Sequence, residues 1–221
     1  MIRKIEKKSL EIWYQVLGMV QTNCYLVVDR AGRDAVVIDP ADEGPAIEVM
    51  QKEANAQIKG ILLTHGHFDH MTAAREAAES FRTQIYASEA ERELLADERM
   101  NCSYMGAKRL TLEADVWLKD GEELTFGAIS VKAISTPGHT KGGMCYYFED
   151  CDVLISGDTL FFETVGRTDL PTGNSSAIIE SVNKKLMVLP EDTLVLPGHG
   201  SQKTIGYEKR NNPYLNDNIW E

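Results

Sequence analysis

The segment Thr64-His65-Gly66-His67-Phe68-Asp69-His70 carries three histidines and one aspartate within seven residues. It directly follows the apolar segment Gly60-Ile61-Leu62-Leu63, which is typical of a short buried strand. In extended backbone the side chains of residues i and i+2 point to the same side, so His65 and His67 can hold one ion. If the chain then turns into a helix, Asp69 and His70 can face a second metal position next to the first. The segment therefore predicts ligands for two metal positions.

Three further apolar segments end in turns that contain glycine and one histidine or aspartate. Loops at the ends of buried strands are where α/β proteins place ligand sites. We therefore expect these turns to lie beside the first one. The three pairs of strand and polar residue are Val131–Ile134 with His139, Val153–Ile155 with Asp158, and Thr193–Leu196 with His199.

Together these turns supply seven candidate metal ligands. A four-coordinate zinc ion with an open water position uses three protein ligands, so seven ligands fit two ions that share one carboxylate. Imidazole and carboxylate suit several metals, and the expected cofactors are two divalent ions, with zinc as the first choice and iron or manganese as alternatives. The set contains no cysteine, which disfavours a closed structural zinc site. The seven are His65, His67, Asp69, His70, His139, Asp158 and His199.

Each of these residues alone has an ordinary interpretation. A single histidine in a turn, such as His139 or His199, is more often a surface or hydrogen-bonded residue than a ligand. An aspartate such as Asp158 in Ser-Gly-Asp-Thr is more often a turn former or a helix cap. Because all five histidines of the chain lie in turns that follow apolar segments, the ordinary interpretation is the weaker one for the whole set.

The ordered motifs HxHxDH, TPGHT, SGDT and PGHG resemble those of the metallo-β-lactamase superfamily, over about Gln21 to Gln202. Within that superfamily, Gly157–Phe161 and Gly166–Leu170 make the chain most similar to the glyoxalase II-like (hydroxyacylglutathione hydrolase-like) metal-dependent hydrolases. The resemblance implies an α/β fold, namely an αββα four-layer sandwich of two mixed β-sheets flanked by helices. It also implies that the metals lie at one edge of the sandwich.

The resemblance further implies roles for the seven residues. Two trios would each hold one ion, and one aspartate would bridge the two ions. The catalytic residues would be Asp69 and Asp158, which hold the ions, and Asp69 could also orient water. The first trio is His65, His67 and His139, the second is Asp69, His70 and His199, and the bridging residue is Asp158.

The expected activity is hydrolysis of a small-molecule thioester by a metal-bound hydroxide. Two metals can lower the pKa of a shared water toward neutrality and polarise the acyl carbonyl. A thiolate leaving group needs little protonation, so the lack of an obvious general acid in the motifs fits a thioester better than an amide. S-lactoylglutathione is the first candidate, and a different thiol carrier is the alternative because the chain after Gly200 is short.

Other activities stay open at this point. The element Gly166-Arg167-Thr168-Asp169 also occurs in the related persulfide dioxygenases, which use one iron, whereas His199 in Pro-Gly-His-Gly favours a two-metal hydrolase. Lactone hydrolysis within the same superfamily fits the motifs too. A nucleic-acid hydrolase is disfavoured by the net charge, and a non-catalytic metal-stabilised binding module by the number of ligands.

Basic and aromatic residues near the motifs are candidates for substrate contacts. Arginine and lysine are natural partners of substrate carboxylates, although a solvated surface charge is the alternative for each. Phe161, Phe162 and Tyr146 could line an apolar wall, or they could belong to the core. The candidate substrate-binding residues are Arg167, Lys141, Lys203, Tyr207 and Arg210.

The composition excludes several classes of protein. The 221 residues include 23 Lys and Arg against 34 Asp and Glu, and this net charge of −11 argues against nucleic acid or an anionic membrane as a partner. No segment reaches the ~18–20 consecutive apolar residues of a membrane span, and the initial MIRKIEKKSL lacks the apolar region of a secretory signal. The four cysteines form no CxxC pair and are interpreted as reduced thiols. We therefore expect a cytoplasmic enzyme with a small-molecule substrate.

The chain shows no linker and no repeat, so one α/β domain over 1–221 is expected, with a short polar tail from about 206. Hairpins are predicted around Gly127-Ala128 and around 149–152. Ser88 is predicted to cap a helix, with Glu91 three residues later in a capping-box arrangement. No element is predicted before Asn23. Helices are predicted over Gly44–Ala54, Met71–Phe81 and Ser175–Leu189.

Overall fold

The computed structural model describes residues 1–215 and contains two large mixed β-sheets. The first sheet has seven strands, which lie side by side in the order in which they occur along the chain. They are β1 (Arg3–Lys7), β2 (Leu10–Leu17), β3 (Thr22–Asp29), β4 (Asp34–Ile38), β5 (Gln57–Leu62), β6 (Ile85–Ser88) and β7 (Val116–Leu118). Strands β1 to β4 pair antiparallel, and β4 to β7 pair parallel.

The second sheet has six strands, and a two-stranded ribbon accompanies it. The strands of this half are β8 (Glu123–Phe126), β9 (Ile129–Ser135), β10 (Met144–Phe148), β11 (Val153–Gly157), β12 (Leu160–Phe161), β13 (Thr164–Val165), β14 (Leu194–Pro197) and β15 (Lys203–Thr204). The order in the sheet is β8-β9-β10-β11-β14-β15, and β12 pairs with β13 in the ribbon. Strands β11 and β14 pair parallel, while the other neighbours in this sheet pair antiparallel.

Helices cover the outer face of each sheet. They are α1 (Gly44–Ala54), α2 (Phe68–Met71), α3 (Ala74–Phe81), α4 (Arg92–Leu95), α5 (Ser175–Ser181) and α6 (Ile205–Asn211). A π-helical turn over Val182–Leu186 continues α5. On the second sheet, Ile178 of α5 and Ile205 of α6 share an apolar cluster with Leu154 and Val195 of the strands.

Strand β4 shows how the first sheet buries both of its faces. Side chains alternate along a strand, and Ala35 and Val37 join the cluster that contains Ile47 of α1. Val36 and Ile38 join the cluster shared with the second sheet. A strand that is covered on both faces is apolar throughout, which is why β4 reads as one apolar run. The layers are therefore helix, sheet, sheet and helix, which confirms the predicted αββα sandwich.

The predicted helix Met71–Phe81 is confirmed from Ala74 to its end by α3, but its start is wrong, because Met71 belongs to the separate helix α2. The hydroxyl of Thr72 donates to the carbonyl of Phe68 at 2.6 Å and closes the short α2. The N–H of Ala73 donates to the carbonyl of Pro40 at 3.0 Å, outside the helix. This long-range bond takes the place of a helical hydrogen bond and separates the two helices. The predicted helix Gly44–Ala54 and both predicted hairpins are confirmed.

The capping box predicted at Ser88 and Glu91 is also wrong. The side chain of Ser88 makes no cap hydrogen bond in the described part of the chain, and Glu89–Glu91 forms a 3-10 turn before α4. The carboxylate of Glu91 is buried and accepts hydrogen bonds from backbone N–H groups of two distant loops. The sequence spacing of a capping box is present here, but tertiary contacts use the carboxylate instead.

The ends of the chain hold elements that the sequence analysis did not identify. Strands β1 and β2 precede Asn23, and β2 alternates between buried and half-buried positions. The segment from about 206, predicted as a tail, begins with α6, which is capped by the hydroxyl of Thr204. Residues 216–221 of that predicted tail lie outside the described residues. All four cysteines carry free, buried thiols. Within residues 1–215 no helix has the length and apolar character needed to cross a membrane.

Candidate metal centre

Strand ends from both sheets meet at one edge of the sandwich. Strands β9, β11 and β14 run in the same direction, because β9 and β11 both pair antiparallel with β10, and β11 pairs parallel with β14. Their carboxyl ends therefore share an edge, where the following turns place His139, Asp158 and His199. The loop after β5 and helix α2 bring the HxHxDH segment to the same place.

The first group consists of His65, His67 and His139, which are all buried. One ring nitrogen of each lies within 4.8 Å of the others. Nδ1 of His67 is 2.9 Å from Nε2 of His139. The ring of His65 lies nearly perpendicular to the other two, at 4.8 Å between centroids in each case. Three imidazoles, two from the first sheet and one from the second, therefore converge.

The second group consists of Asp69, His70 and His199. Oδ2 of Asp69 lies 3.4 Å from Nε2 of His70 and 3.3 Å from Nε2 of His199. The two ring nitrogens are 3.3 Å apart. The three ligand-type atoms therefore form a nearly equilateral triangle, again with residues from both sheets.

Asp158 lies between the two groups. Its Oδ1 is 3.4 Å from Nε2 of His70, and its Oδ2 is 3.5 Å from Nε2 of His199. Oδ2 is also 3.5 Å from Nε2 of His139 in the first group. This one carboxylate therefore reaches both groups, which is the position that the resemblance assigned to it.

Hydrogen bonds at the opposite ring nitrogens orient the histidines. Nδ1 of His70 donates to the carboxylate of Asp39 at 2.8 Å, and Nδ1 of His139 donates to the carbonyl of Arg167 at 2.7 Å. Each of these bonds keeps Nε2 directed at the group, so Nε2 is the nitrogen that would bind an ion. Nδ1 of His65 lies 3.1 Å from the hydroxyl of Thr64. Such outer contacts are the usual support of metal-binding histidines.

Asp39 is a functional residue that the sequence analysis missed. It is buried, and its carboxylate also accepts the backbone N–H of Thr64 at 2.8 Å and the hydroxyl of Thr64 at 2.7 Å. Its signal was its place directly after β4, the parallel neighbour of β5. A carboxylate at the end of that strand necessarily lies beside the loop that follows β5.

The pKa values of His65 and His67 are low. Burial lowers the pKa of His67 to about 3, because the uncharged ring is favoured away from water, and the neighbouring His139 lowers it further. Burial also lowers the pKa of His65 well below its ordinary value. Both rings are therefore neutral at pH 7, as metal binding requires.

The pKa values of the second group are high for the histidines and low for the carboxylates. Burial opposes charge on His199 and His70, but the carboxylates of Asp158 and Asp69 outweigh it. They raise the pKa of His199 to about 9 and that of His70 well above its ordinary value. Burial likewise opposes charge on Asp69, but His70 and His199 lower its pKa to about 2, and the pKa of Asp158 also lies well below its usual range. Without a metal, protons on His70 and His199 therefore balance these two carboxylates.

The spacing of the ligand-type atoms fits divalent ions. Ligands at about 2.0–2.1 Å from a tetrahedral zinc ion lie about 3.3–3.4 Å from one another. In the second group, two of the three distances between ligand-type atoms are 3.3 Å and the third is 3.4 Å. Among the described residues, Nε2 of His65 and Oδ1 of Asp158 are buried and have no hydrogen-bond partner. Unpartnered buried polar atoms are costly, so this donor set fits the bound ions that the sequence predicts.

A cavity of about 630 Å³ opens onto both groups. Within residues 1–215, the titratable side chains that line it outside the seven are Arg167 and Cys102. The guanidinium of Arg167 pairs with Asp169 at 2.6 Å, and burial raises the pKa of the Cys102 thiol. The remaining wall is mainly apolar and includes Met19, Val20, Phe68, Met105, Phe161 and Leu170.

The other predicted substrate contacts lie elsewhere. The structure places none of Lys141, Lys203, Tyr207 and Arg210 among the described residues that line the cavity. The ammonium of Lys203 lies 4.8 Å from the centre of the Tyr207 ring, and Arg210 pairs with Glu191 at 3.2 Å. Their contact with substrate stays a prediction.

The predicted aromatic wall is present in part. Phe161 lines the cavity, whereas Phe162 stacks on Tyr207. Tyr146 belongs to the core between the sheets, where its hydroxyl donates to the carbonyl of Leu63 at 2.8 Å. The core interpretation is therefore the correct one for Tyr146.

Solved structures with this arrangement of sheets and helices include three that share substantial sequence identity with the chain. The B3 metallo-β-lactamase BLEG-1 has a TM-score of 0.87 at 35% identity, covering 97% of this chain and 99% of that one. TTHA1623 in a di-iron-bound form has a TM-score of 0.81 at 33% identity, covering 91% and 99%. ETHE1 from Myxococcus xanthus has a TM-score of 0.74 at 29% identity, covering 96% and 83%.

Curated relatives and a family profile match most of the chain. The probable metallo-hydrolase YqgX of Bacillus subtilis is 38% identical over 90% of this chain and 95% of its own length. The hydroxyacylglutathione hydrolase GloC of Haemophilus influenzae is 35% identical over 89% and 93%. Residues 17–199 match the profile of the metallo-beta-lactamase superfamily. The chain belongs to the metallo-β-lactamase superfamily.

Proposed function

We propose that the protein is a metal-dependent hydrolase that cleaves a small-molecule thioester. The observation that carries the proposal is the pair of trios that share Asp158 and face one cavity of about 630 Å³. A cavity of this volume suits a small molecule. The similarity to the hydroxyacylglutathione hydrolase GloC supports the same substrate class.

The seven residues would hold two divalent ions. His65, His67 and His139 would hold one, Asp69, His70 and His199 the other, and Asp158 both. When bound, such ions lower the pKa of water and polarise a carbonyl oxygen. Zinc is our first choice, and the di-iron form of TTHA1623 supports iron as the alternative.

The lining of the cavity favours a leaving group that needs no proton. Among the described residues that line it, the titratable side chains outside the seven are a guanidinium, which stays charged, and a thiol whose pKa is raised. Neither is a good general acid at pH 7. An amine must be protonated as it leaves, whereas a thiolate need not be. The cavity therefore favours a thioester over an amide.

Arg167 is the cation best placed to contact an anionic substrate. It lines the cavity, its side chain is 62% exposed, and Asp169 holds the guanidinium at one end. The backbone carbonyl of the same residue accepts the hydrogen bond that orients His139. Arg167 therefore connects the substrate cavity with the first trio. The largely apolar remainder of the cavity wall suits an acyl chain or a methylene-rich thiol.

The test is hydrolysis of S-lactoylglutathione by metal-loaded protein, measured by thiol release. We expect turnover that is lost on chelation and restored by added Zn²⁺, and that falls by about 100- to 1,000-fold in Asp158→Asn, as is typical for loss of one group that stabilises the transition state. Asp150→Asn is the matched control, because Asp150 is exposed in the turn between β10 and β11.

Other substrates decide between the proposal and its alternatives. If the protein hydrolyses a coenzyme A thioester but not S-lactoylglutathione, the proposed thioester hydrolysis stands and the thiol carrier is a different one. Chelator-sensitive hydrolysis of lactones alone, or oxygen consumption with a persulfide at one iron per chain, would overturn it. A protein that binds two ions and turns over none of these substrates would also overturn it.

A further inference from the structure

Glu91 joins the loops that carry the first trio. Its side chain is buried, at 1% exposure, in the turn that follows β6. Oε2 accepts the backbone N–H of Gly66 at 2.8 Å, and Oε1 accepts the backbone N–H of Gly142 at 2.6 Å. Gly66 stands between His65 and His67, whereas Gly142 belongs to the loop of His139. One carboxylate therefore links a loop of the first sheet to a loop of the second.

The surroundings leave little freedom for this link. A Cβ atom on Gly142 would lie 2.6 Å from the backbone nitrogen of Glu91, and one on Gly66 would lie 2.7 Å from Cδ2 of Leu94. The lack of a side chain at Gly142 therefore permits a close approach to Glu91, and the lack of one at Gly66 permits close packing against Leu94. Because two N–H donors converge on the carboxylate of Glu91, the side chain must present two acceptor oxygens.

The second trio has separate supports. The hydroxyl of Thr22 donates to Oδ2 of Asp69 at 2.8 Å. The amide of Asn23 donates to the carbonyls of Pro197 at 2.9 Å and Gly200 at 3.2 Å, on the two sides of His199. No hydrogen bond among the described residues joins Glu91 to these groups. Asp39 and Thr64 together contact a histidine of each trio, whereas Glu91 contacts only the loops of the first.

We infer that Glu91 is a positioning residue for the first ion. It sets the distance between the His65–His67 loop and the His139 loop, and it acts on the second trio only through the fold as a whole. The inference rests on the metal centre of the proposed function and is independent of its substrate.

The test is the Glu91→Gln variant. Glutamine keeps the length of the side chain, but its NH₂ group faces one of the two N–H donors, so one link is lost. The metal-free protein is titrated with Co²⁺ and followed by visible absorption, and each affinity is measured by competition with a chelator. Loss of an outer support typically lowers metal affinity about 10- to 100-fold. We expect this loss for one Co²⁺ ion and an unchanged affinity for the other.

Matched variants identify which ion is affected. Thr22→Val, which removes the hydroxyl next to Asp69, should weaken the other ion and change the other set of absorption bands. Glu89→Gln should change neither, because Glu89 lies in the same turn with its side chain 54% exposed. A Glu91→Gln protein that weakens both ions equally, or neither, would overturn the inference.

Two further measurements distinguish the positioning role of Glu91 from a general effect on folding and from the choice of substrate. If Glu91→Gln does not fold, as judged by circular dichroism, Gly142→Ala tests the same link with the carboxylate intact, and the same selective loss is expected. Equal loss of both ions in that variant would again overturn the inference. A normal two-ion titration in a protein that hydrolyses no thioester would refute the proposed substrate while leaving the role of Glu91 in place.

Discussion

A single hydrogen bond at the outer ring nitrogen orients His70 and His139, with Nε2 directed at the candidate metal centre. The acceptor is a carboxylate for His70 and a backbone carbonyl for His139. A neutral imidazole that donates at Nδ1 presents a lone pair at Nε2. The same hydrogen bond therefore determines both the orientation of the ring and the nitrogen that can bind an ion. The charges differ as well, because His70 and His199 are protonated in the metal-free protein, whereas His65 and His67 are neutral.

We predict that metal binding releases protons mainly from the second trio. The pKa of His199 is raised to about 9 and that of His70 is raised well above its ordinary value, so both are protonated at pH 7 in the metal-free protein. His65 and His67 are already neutral. Calorimetric titration with Zn²⁺ in buffers of different ionisation enthalpy should show proton release at pH 7 that decreases as the pH rises through 9. Release that is independent of pH over this range would contradict the prediction.

The helices and strands owe their positions to contacts of different range. The apolar runs of β3, β4, β9 and β11 were predictable because strands that are buried on both faces carry an unbroken apolar signal. The break between α2 and α3 was not predictable, because the N–H of Ala73 donates to the carbonyl of Pro40, which is distant in the sequence. Strands β1 and β2 lack such a run, since β1 is largely exposed and β2 is buried mainly on one face.

At the candidate metal centre, too, residues in local motifs could be predicted, whereas residues defined by contacts distant in sequence could not. Spacing and family resemblance pointed to seven residues, and the structure brings these seven together. Their role as ligands stays a prediction. Asp39 and Glu91 could not be found in this way, because each is defined by contacts with loops that are 25 or more residues away. Of the five residues predicted to bind substrate, the structure places Arg167 in the cavity, and charge near a motif could not distinguish it from the rest.

At the level of one element, we predict that Asn174→Ala destabilises the fold through helix α5. The side chain of Asn174 accepts the N–H of Ala177 at 2.9 Å and caps the helix, and its own N–H donates to the carbonyl of Gly138 at 2.7 Å. Loss of such a cap costs about 1 kcal/mol. In a chain of this size the thermal midpoint should fall by about 2–4 °C.

Differential scanning calorimetry measures this shift, with Ser176→Ala as the control in the same helix. Ser176 is exposed. Its replacement should leave the midpoint nearly unchanged, as is usual for surface substitutions. Equal shifts in the two variants would contradict a capping role of Asn174.

In the whole molecule, the candidate metal centre is a contact between the two sheets. Each trio takes residues from the loops of both sheets, and Asp158 adds the end of β11. The apolar cluster between the sheets provides the rest of the contact, with residues such as Val36 and Tyr146. Bound ions would therefore stabilise the packing of the two halves as well as supply the chemistry.

We predict that chelation lowers the thermal midpoint of the metal-loaded protein. An ion present at 1,000 times its dissociation constant contributes about 4 kcal/mol to the free energy of unfolding. For a chain of this size that corresponds to about 8–16 °C. The measurement is thermal unfolding with and without a strong chelator, and Asp158→Ala should show a smaller effect. An unchanged midpoint on chelation would contradict the prediction.

The two sheets also follow one another along the chain, since β1 to β7 lie between Arg3 and Leu118 and β8 to β15 between Glu123 and Thr204. During synthesis on the ribosome, the HxHxDH segment therefore emerges well before His139, Asp158 and His199. The first half alone offers neither a complete trio nor the bridging carboxylate. The protein would therefore acquire its ions as a late step of biogenesis, after the second sheet has been made, and the cell must supply them to an almost finished chain.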